Sequence, residues 1–104
     1  WRFIGSVSKD LGESTLPLGH SGELATSVML AVRGDLVLRE KMRAESPRQT
    51  LKNRFPHIIQ YYPSSDATPS AFAGDPTKAT REKGEEILAR CVDRLEDFLT
   101  QWLK

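Results

Sequence analysis

Between Gly84 and Leu103 the apolar residues return every third or fourth position: Gly84, Ile87, Leu88, Cys91, Val92, Leu95, Phe98, Leu99, Trp102 and Leu103. That spacing predicts one continuous apolar stripe on a helix. Just upstream, "GDPTKAT" offers Asp75 as an N-cap and Pro76 at the first helical position. A helix over residues 76–103 would run about 42 Å at 1.5 Å per residue, with one or two breaks near its start. Glu86 and Arg90, four apart, support its exposed side. A stripe of this length needs a further layer of structure to cover it.

A second helix is predicted over residues 24–32. Leu24, Val28, Ala31 and Val32 share one face, with Ala25 and Met29 beside them and only Thr26 and Ser27 as polar interruptions. A helix apolar on nearly every side is expected to be buried. Gly34 and Asp35 are expected to end it. The other segments read as short pieces: a strand starting at Leu36, Val37 and Leu38, a strand over "HIIQYY" (residues 57–62), and turn chemistry over residues 63–69. Residues 9–19 read as a loop, and residues 1–7 as a strand end or a loop packed on a neighbour. Two apolar helical surfaces need a sheet, and a sheet of one or two strands is marginal alone. These 104 residues are therefore not expected to be an autonomous enzyme or an autonomous stable fold. The start at Trp1 rather than Met reads as a cleaved or partial chain.

Composition narrows the function classes. The formal net charge is +1, which gives no whole-surface attraction to nucleic acid or anionic lipid. Cys91 is the single cysteine, which rules out an internal disulfide and a cysteine-rich zinc module. No apolar run approaches the roughly 18 residues of a membrane span, and a cytoplasmic protein is expected. Residues 39–54 are locally basic, with Arg39, Lys41, Arg43, Arg48, Lys52 and Arg54 against Glu40 and Glu45. With Phe55, Tyr61 and Tyr62 nearby this could serve nucleic acid. The two acids and the near-zero total charge favour a solvated loop or a subunit contact.

The chemistry-bearing residues cluster before the first helix, in "LGHSGELATSVML". His20 sits between Gly19 and Gly22, glycines that permit tight turns and close approach. At a helix start such a histidine could bind a carbonyl oxygen, donate a proton or ligate a metal. A capping or core histidine is the other reading. Glu23 could be a metal ligand, a general base or an orienter of His20, or simply an acid that complements the helix dipole. One His and one Glu are too few for a metal site. His57 reads as structural, and Asp10 and Asp66 sit in loops. There is no HExxH, P-loop or GxSxG, and Ser21 is not a nucleophile elbow. A self-contained active site is not expected.

Two blocks together resemble the creatininase (creatinine amidohydrolase) family. "GHSGELATSVMLAVRGDLV" is similar to the family's H-(A/G)-G-x-x-E-T-S segment and the apolar helix after it. "GDPTKATREKGEEIL" is similar to the family's C-terminal G-D-P-x-x-A-T-x-E-K-G. The resemblance spans residues 1–104 and is carried by these blocks. It implies an α/β protein, with residues 1–104 as the C-terminal part of a three-layer α/β/α sandwich whose N-terminal part is absent. It implies a metal-dependent hydrolase of C–N bonds in small cyclic amides and related molecules. It further implies a homo-oligomer, often a hexamer, with a binuclear zinc, manganese or iron site whose main ligands lie outside this chain. By the resemblance His20 contacts substrate or assists catalysis, and Trp1 lines the substrate pocket. Two departures from the pattern matter. Ala25 replaces the glutamate of E-T-S, whose role is then lost or moved to Glu23, and Leu18 and Gly19 replace the acidic residue before the histidine. The competing expectations are a non-catalytic subunit or assembly module of the same fold, suggested by Ala25, and a small nucleic-acid-binding domain using residues 39–54.

Overall fold

The computed structural model describes residues 7, 21–46, 57, 65 and 68–104. The helices whose bounds the described residues give are α1 over Glu23–Arg33 and α2 over Arg81–Trp102; Val7 and Ser65 are also helical. Single 3-10 turns follow α1 at Gly34–Leu36 and Arg39–Lys41, and another, Pro76–Lys78, leads into α2.

The start of α2 follows from its local sequence. Asp75 accepts the Thr77 N–H at 3.0 Å and caps the Pro76 turn. That turn then stops, because Ala79 is extended (φ −68°, ψ 138°). Thr80 caps the helix proper, its hydroxyl oxygen accepting the Lys83 N–H at 3.2 Å. The break expected near the start is thus a pair of caps five residues apart. The helix has 22 residues and runs about 33 Å. The Glu86–Arg90 pair forms as expected, at 2.7 Å, on its exposed side. Replacing Thr80 by Ala should cost about 1 kcal/mol of stability, while Ser should keep most of it. Urea melts of the two variants would check this.

Helix α1 departs from its expected character. It buries one side only: Glu23, Leu24, Ser27 and Leu30 are inside, whereas Met29 and Val32 are exposed. Ser27, read from the sequence as an interruption, has no exposed surface at all. Nor does Gly34 act as a left-handed cap. Its φ is −57°, and the chain turns on into a 3-10 turn closed by Val37 N–H donating to Gly34 O at 3.3 Å. The strand expected to start at Leu36 is replaced by two successive tight turns that leave Leu36 and Leu38 exposed.

The two helices meet through small groups. A Cβ on Gly84 would lie 1.9 Å from the Ser27 carbonyl oxygen and 2.9 Å from the Ala31 Cβ. Glycine is what lets the α2 backbone rest on α1. Around that contact Val7, Leu24 and Ile87 form the core, with Val28 and Cys91 packed on it. Val7 is helical and fully buried, so that position is not the strand end or loop expected of it. The apolar stripe of α2 is buried only at its beginning. Leu95, Phe98, Leu99, Trp102 and Leu103 are exposed, with Trp102 70% so, and the Phe98 and Trp102 rings stack at 6.0 Å.

Among the described residues no strand forms. Their β pairing is one antiparallel bridge, Glu45 to Gly74, closed by N–H to O bonds of 3.0 and 2.8 Å. Of "HIIQYY" only His57 is described, and it sits in an exposed turn. The sandwich inferred from the sequence is therefore not visible in these elements. No helix among the described residues is long and apolar enough to cross a membrane.

Candidate functional site

The turn that enters α1 is the candidate site. His20 and Trp1, to which the family resemblance assigns roles at substrate, lie outside the described residues, as do Asp10 and Asp66. The chain neighbour of His20 is described. Ser21 has φ +54°, in the left-handed region, at a cost of about 1 kcal/mol for a residue other than glycine. Gly22, at φ −85°, is ordinary and buried. The strained position is therefore the serine. Behind it, Gly74 adopts φ +146°, and a Cβ there would stand 3.1 Å from the Gly22 Cα. Glycine is needed at 74 for both reasons. Gly74 is itself fixed to Glu45 by the bridge, so three backbone segments stack at the foot of α1.

Glu23 takes its partner from the second block. Its side chain is 8% exposed, and its Oε1 accepts from the Lys83 Nζ. The same ammonium donates to the Lys78 carbonyl at 3.3 Å. One turn further along α1, the Ser27 hydroxyl oxygen accepts the Thr80 N–H at 3.2 Å. The acid does occupy the first helical turn, as the dipole argument anticipates, but it does more than that. Removing one partner of a buried pair strands the other. Glu23→Gln or Lys83→Met alone should each cost about 1–3 kcal/mol, reduced from the fully buried case because Lys83 is partly exposed. The double replacement Glu23→Leu with Lys83→Met should cost less than the sum. Additive losses in that cycle, read by denaturant melts, would show the pair to be uncoupled.

Ala25 is exposed, about 200° around the helix from Glu23. The Glu23 carboxylate, turned toward Lys83, does not occupy the place a carboxylate at position 25 would take.

Two clefts open beside this stack. One of about 340 Å³ is lined by Glu23, Glu45, Asp75 and Lys78 among others. The other, about 630 Å³, is lined by Lys41, Arg43, Glu45, Ser70 and Phe72 with Ala44 and Pro69. The hydrogen bond from Thr77 holds the Asp75 carboxyl below its ordinary range. Its cap is therefore present above the usual carboxylate pKa and is lost as pH falls through the lowered folded value. Burial raises the Cys91 thiol, which keeps it a protonated packing group. Among the described residues no three His, Cys, Asp or Glu side chains converge as a metal site. Glu23, the candidate ligand, already serves Lys83. The described residues thus do not fit a metal by themselves.

Sequence reasoning found Glu23 and missed Lys83, Ser27 and Thr80. Both blocks carry the polar residues, but which of them meet is set by the helix crossing, not by any local pattern. Of the basic residues, Arg39, Lys41 and Arg43 are exposed, while Arg48, Lys52 and Arg54 lie outside the described residues.

Comparison with known proteins covers most of this chain. The family model described as creatinine amidohydrolase matches residues 1–99. A mycofactocin precursor peptide peptidase of Mycobacterium ulcerans (strain Agy99) is 28% identical over 102 residues, which cover 98% of this chain and 37% of the relative. The crystal structure of a creatinine amidohydrolase (creatininase) matches with a TM-score of 0.73 and 29% identity, over 97% of this chain and 39% of that one. The chain spans less than two fifths of the length of these relatives.

Proposed function

Because this chain belongs to the creatinine amidohydrolase family, we propose that it forms part of a metal-dependent hydrolase of C–N bonds in a small amide, cyclic amide or peptide. The observation that supports this most is the interlock of the two family blocks. Gly22 against Gly74, Glu23 with Lys83 and Ser27 with Thr80 hold the start of α1, three positions after His20 in the sequence, on a packed base. A group that must meet a substrate within a fraction of an ångström needs such a base. His20 would orient the carbonyl or move a proton at the leaving nitrogen, and Trp1 would line the pocket. The main ligands of the zinc, manganese or iron would lie outside this chain.

The reading includes the rest of the domain. The exposed apolar end of α2 and the short share of the relatives' length fit a C-terminal segment completed by an N-terminal remainder into an α/β/α sandwich. The assembled protein would be a cytoplasmic homo-oligomer, a hexamer by the resemblance, acting on a small molecule and not on nucleic acid. Ala25 favours one rival, a non-catalytic assembly module of the same fold. The complete protein should be assayed on cyclic amides and on short peptides, before and after chelation. Turnover that disappears with chelator and returns with zinc, manganese or iron is expected. A metal-loaded protein that cleaves no C–N bond in either class would leave the assembly module.

A further inference from the structure

The basic residues near Arg43 have no part in the proposed reaction, yet they are gathered in one place. Lys41, Arg43 and Glu45 are alternate residues, and all three line the cleft of about 630 Å³ together with Ser70 and Phe72. Lys41 ends a 3-10 turn and the chain leaves it extended at Met42 (φ −67°, ψ 130°), so that the residues on both sides of Met42 line the cleft. Neither Lys41 nor Arg43 has an ion-pair partner among the described residues. Glu45 is already engaged, its Oε2 accepting the Ser70 N–H at 3.1 Å and the Ser70 hydroxyl. Among the described residues the cleft thus presents two cations without an ion-pair partner, one engaged acid and one half-buried aromatic ring. The cleft is open rather than an enclosed seat, so it offers contacts to an extended ligand and not a cage for a single ion.

We propose that this cleft binds a carboxylate-bearing ligand of short-peptide size. The Arg43 guanidinium takes the carboxylate, Lys41 adds charge beside it, and Phe72 receives an apolar side chain. The Glu45 carboxylate disfavours a doubly charged phosphate at the same spot. The cleft shares Ala44 and Glu45 with the smaller one that reaches Glu23, so a ligand anchored here extends toward the start of α1. Identifying this ligand with the substrate rests on the hydrolase reading, whereas binding in the cleft does not.

The test is calorimetric titration of the complete protein with N-acetyl-trialanine as the free acid, with its C-terminal amide, and with inorganic phosphate. The acid should bind about tenfold or more tightly than the other two, the scale of a hydrogen bond to a charged group. The double variant Lys41→Gln, Arg43→Gln should erase that preference without moving the thermal melt, since both side chains are exposed. The proposal is overturned by any of four results: no saturable binding of the acid, equal affinity for acid and amide, a preference that survives the double variant, or displacement by phosphate or an RNA oligonucleotide at equal strength. Absent hydrolysis with the acid preference intact would sink the hydrolase reading and leave the cleft assigned. Hydrolysis with equal KM for acid and amide, and no preference in binding, would do the reverse.

Discussion

Gly84→Ala should destabilise the protein by about 3 kcal/mol or more, the upper end of what overpacking costs. On an open helix surface the same change would gain about 1 kcal/mol, because alanine is the better helix former. Here the new methyl would meet the Ser27 carbonyl oxygen at 1.9 Å and its carbon at 2.5 Å. Both atoms are backbone, within α1, and cannot swing aside as a side chain could. The helices would have to move apart, and the Ser27–Thr80 and Glu23–Lys83 contacts would loosen with them. Gly34→Ala is the control. It has φ −57° and nothing within 4 Å of an added Cβ, so it should be neutral or slightly stabilising. Denaturant melts of the complete protein would compare the two. Equal midpoints would mean that the helix crossing is looser than its geometry implies.

His20→Ala in the complete protein should reduce turnover by about a hundredfold or more, the scale of a positioned acid–base group. Melting temperature and metal content should stay near those of the parent, because the role proposed for His20 is at the substrate. Glu23→Gln should show the opposite pattern, with stability falling further than turnover per folded molecule, because its carboxylate serves Lys83. Near-normal turnover in the histidine variant would remove His20 from the reaction. Loss of metal in the glutamine variant would make Glu23 a ligand and reverse the ranking.

The helices were legible because their signals are local. Apolar spacing places the end of α2 within a residue, and the Asp75 and Pro76 cap chemistry marks the turn before it, while the helix proper starts five residues later, behind the Thr80 cap that the spacing did not show. The faces were less legible. Hydropathy ranks Met29 and Val32 as inward and Ser27 as an interruption, yet the crossing selects by size, and the smallest groups sit where backbones touch. The full stripe of α2 reads as core, but no other element among the described residues reaches Leu95 or Trp102 to cover them. At the site, Glu23 was visible as a first-turn acid. Its pairing with Lys83, sixty positions away, depends on the crossing angle of two helices and has no local signature. The same holds for the cleft. Lys41 and Arg43 read as a solvated run until Ser70 and Phe72 are brought against them.

The separation of the interlocked residues also bears on how fast the chain can fold. Ser27 and Thr80 are 53 positions apart, and Glu23 and Lys83 are 60 apart. Each helix can form in microseconds, but the contacts that join them wait for a long loop to close. Loop entropy grows only logarithmically, so doubling the connecting length costs about 0.6 kcal/mol. Lengthening the chain between the blocks should therefore slow folding modestly and leave the unfolding rate almost unchanged, whereas a methyl group at the crossing should speed unfolding.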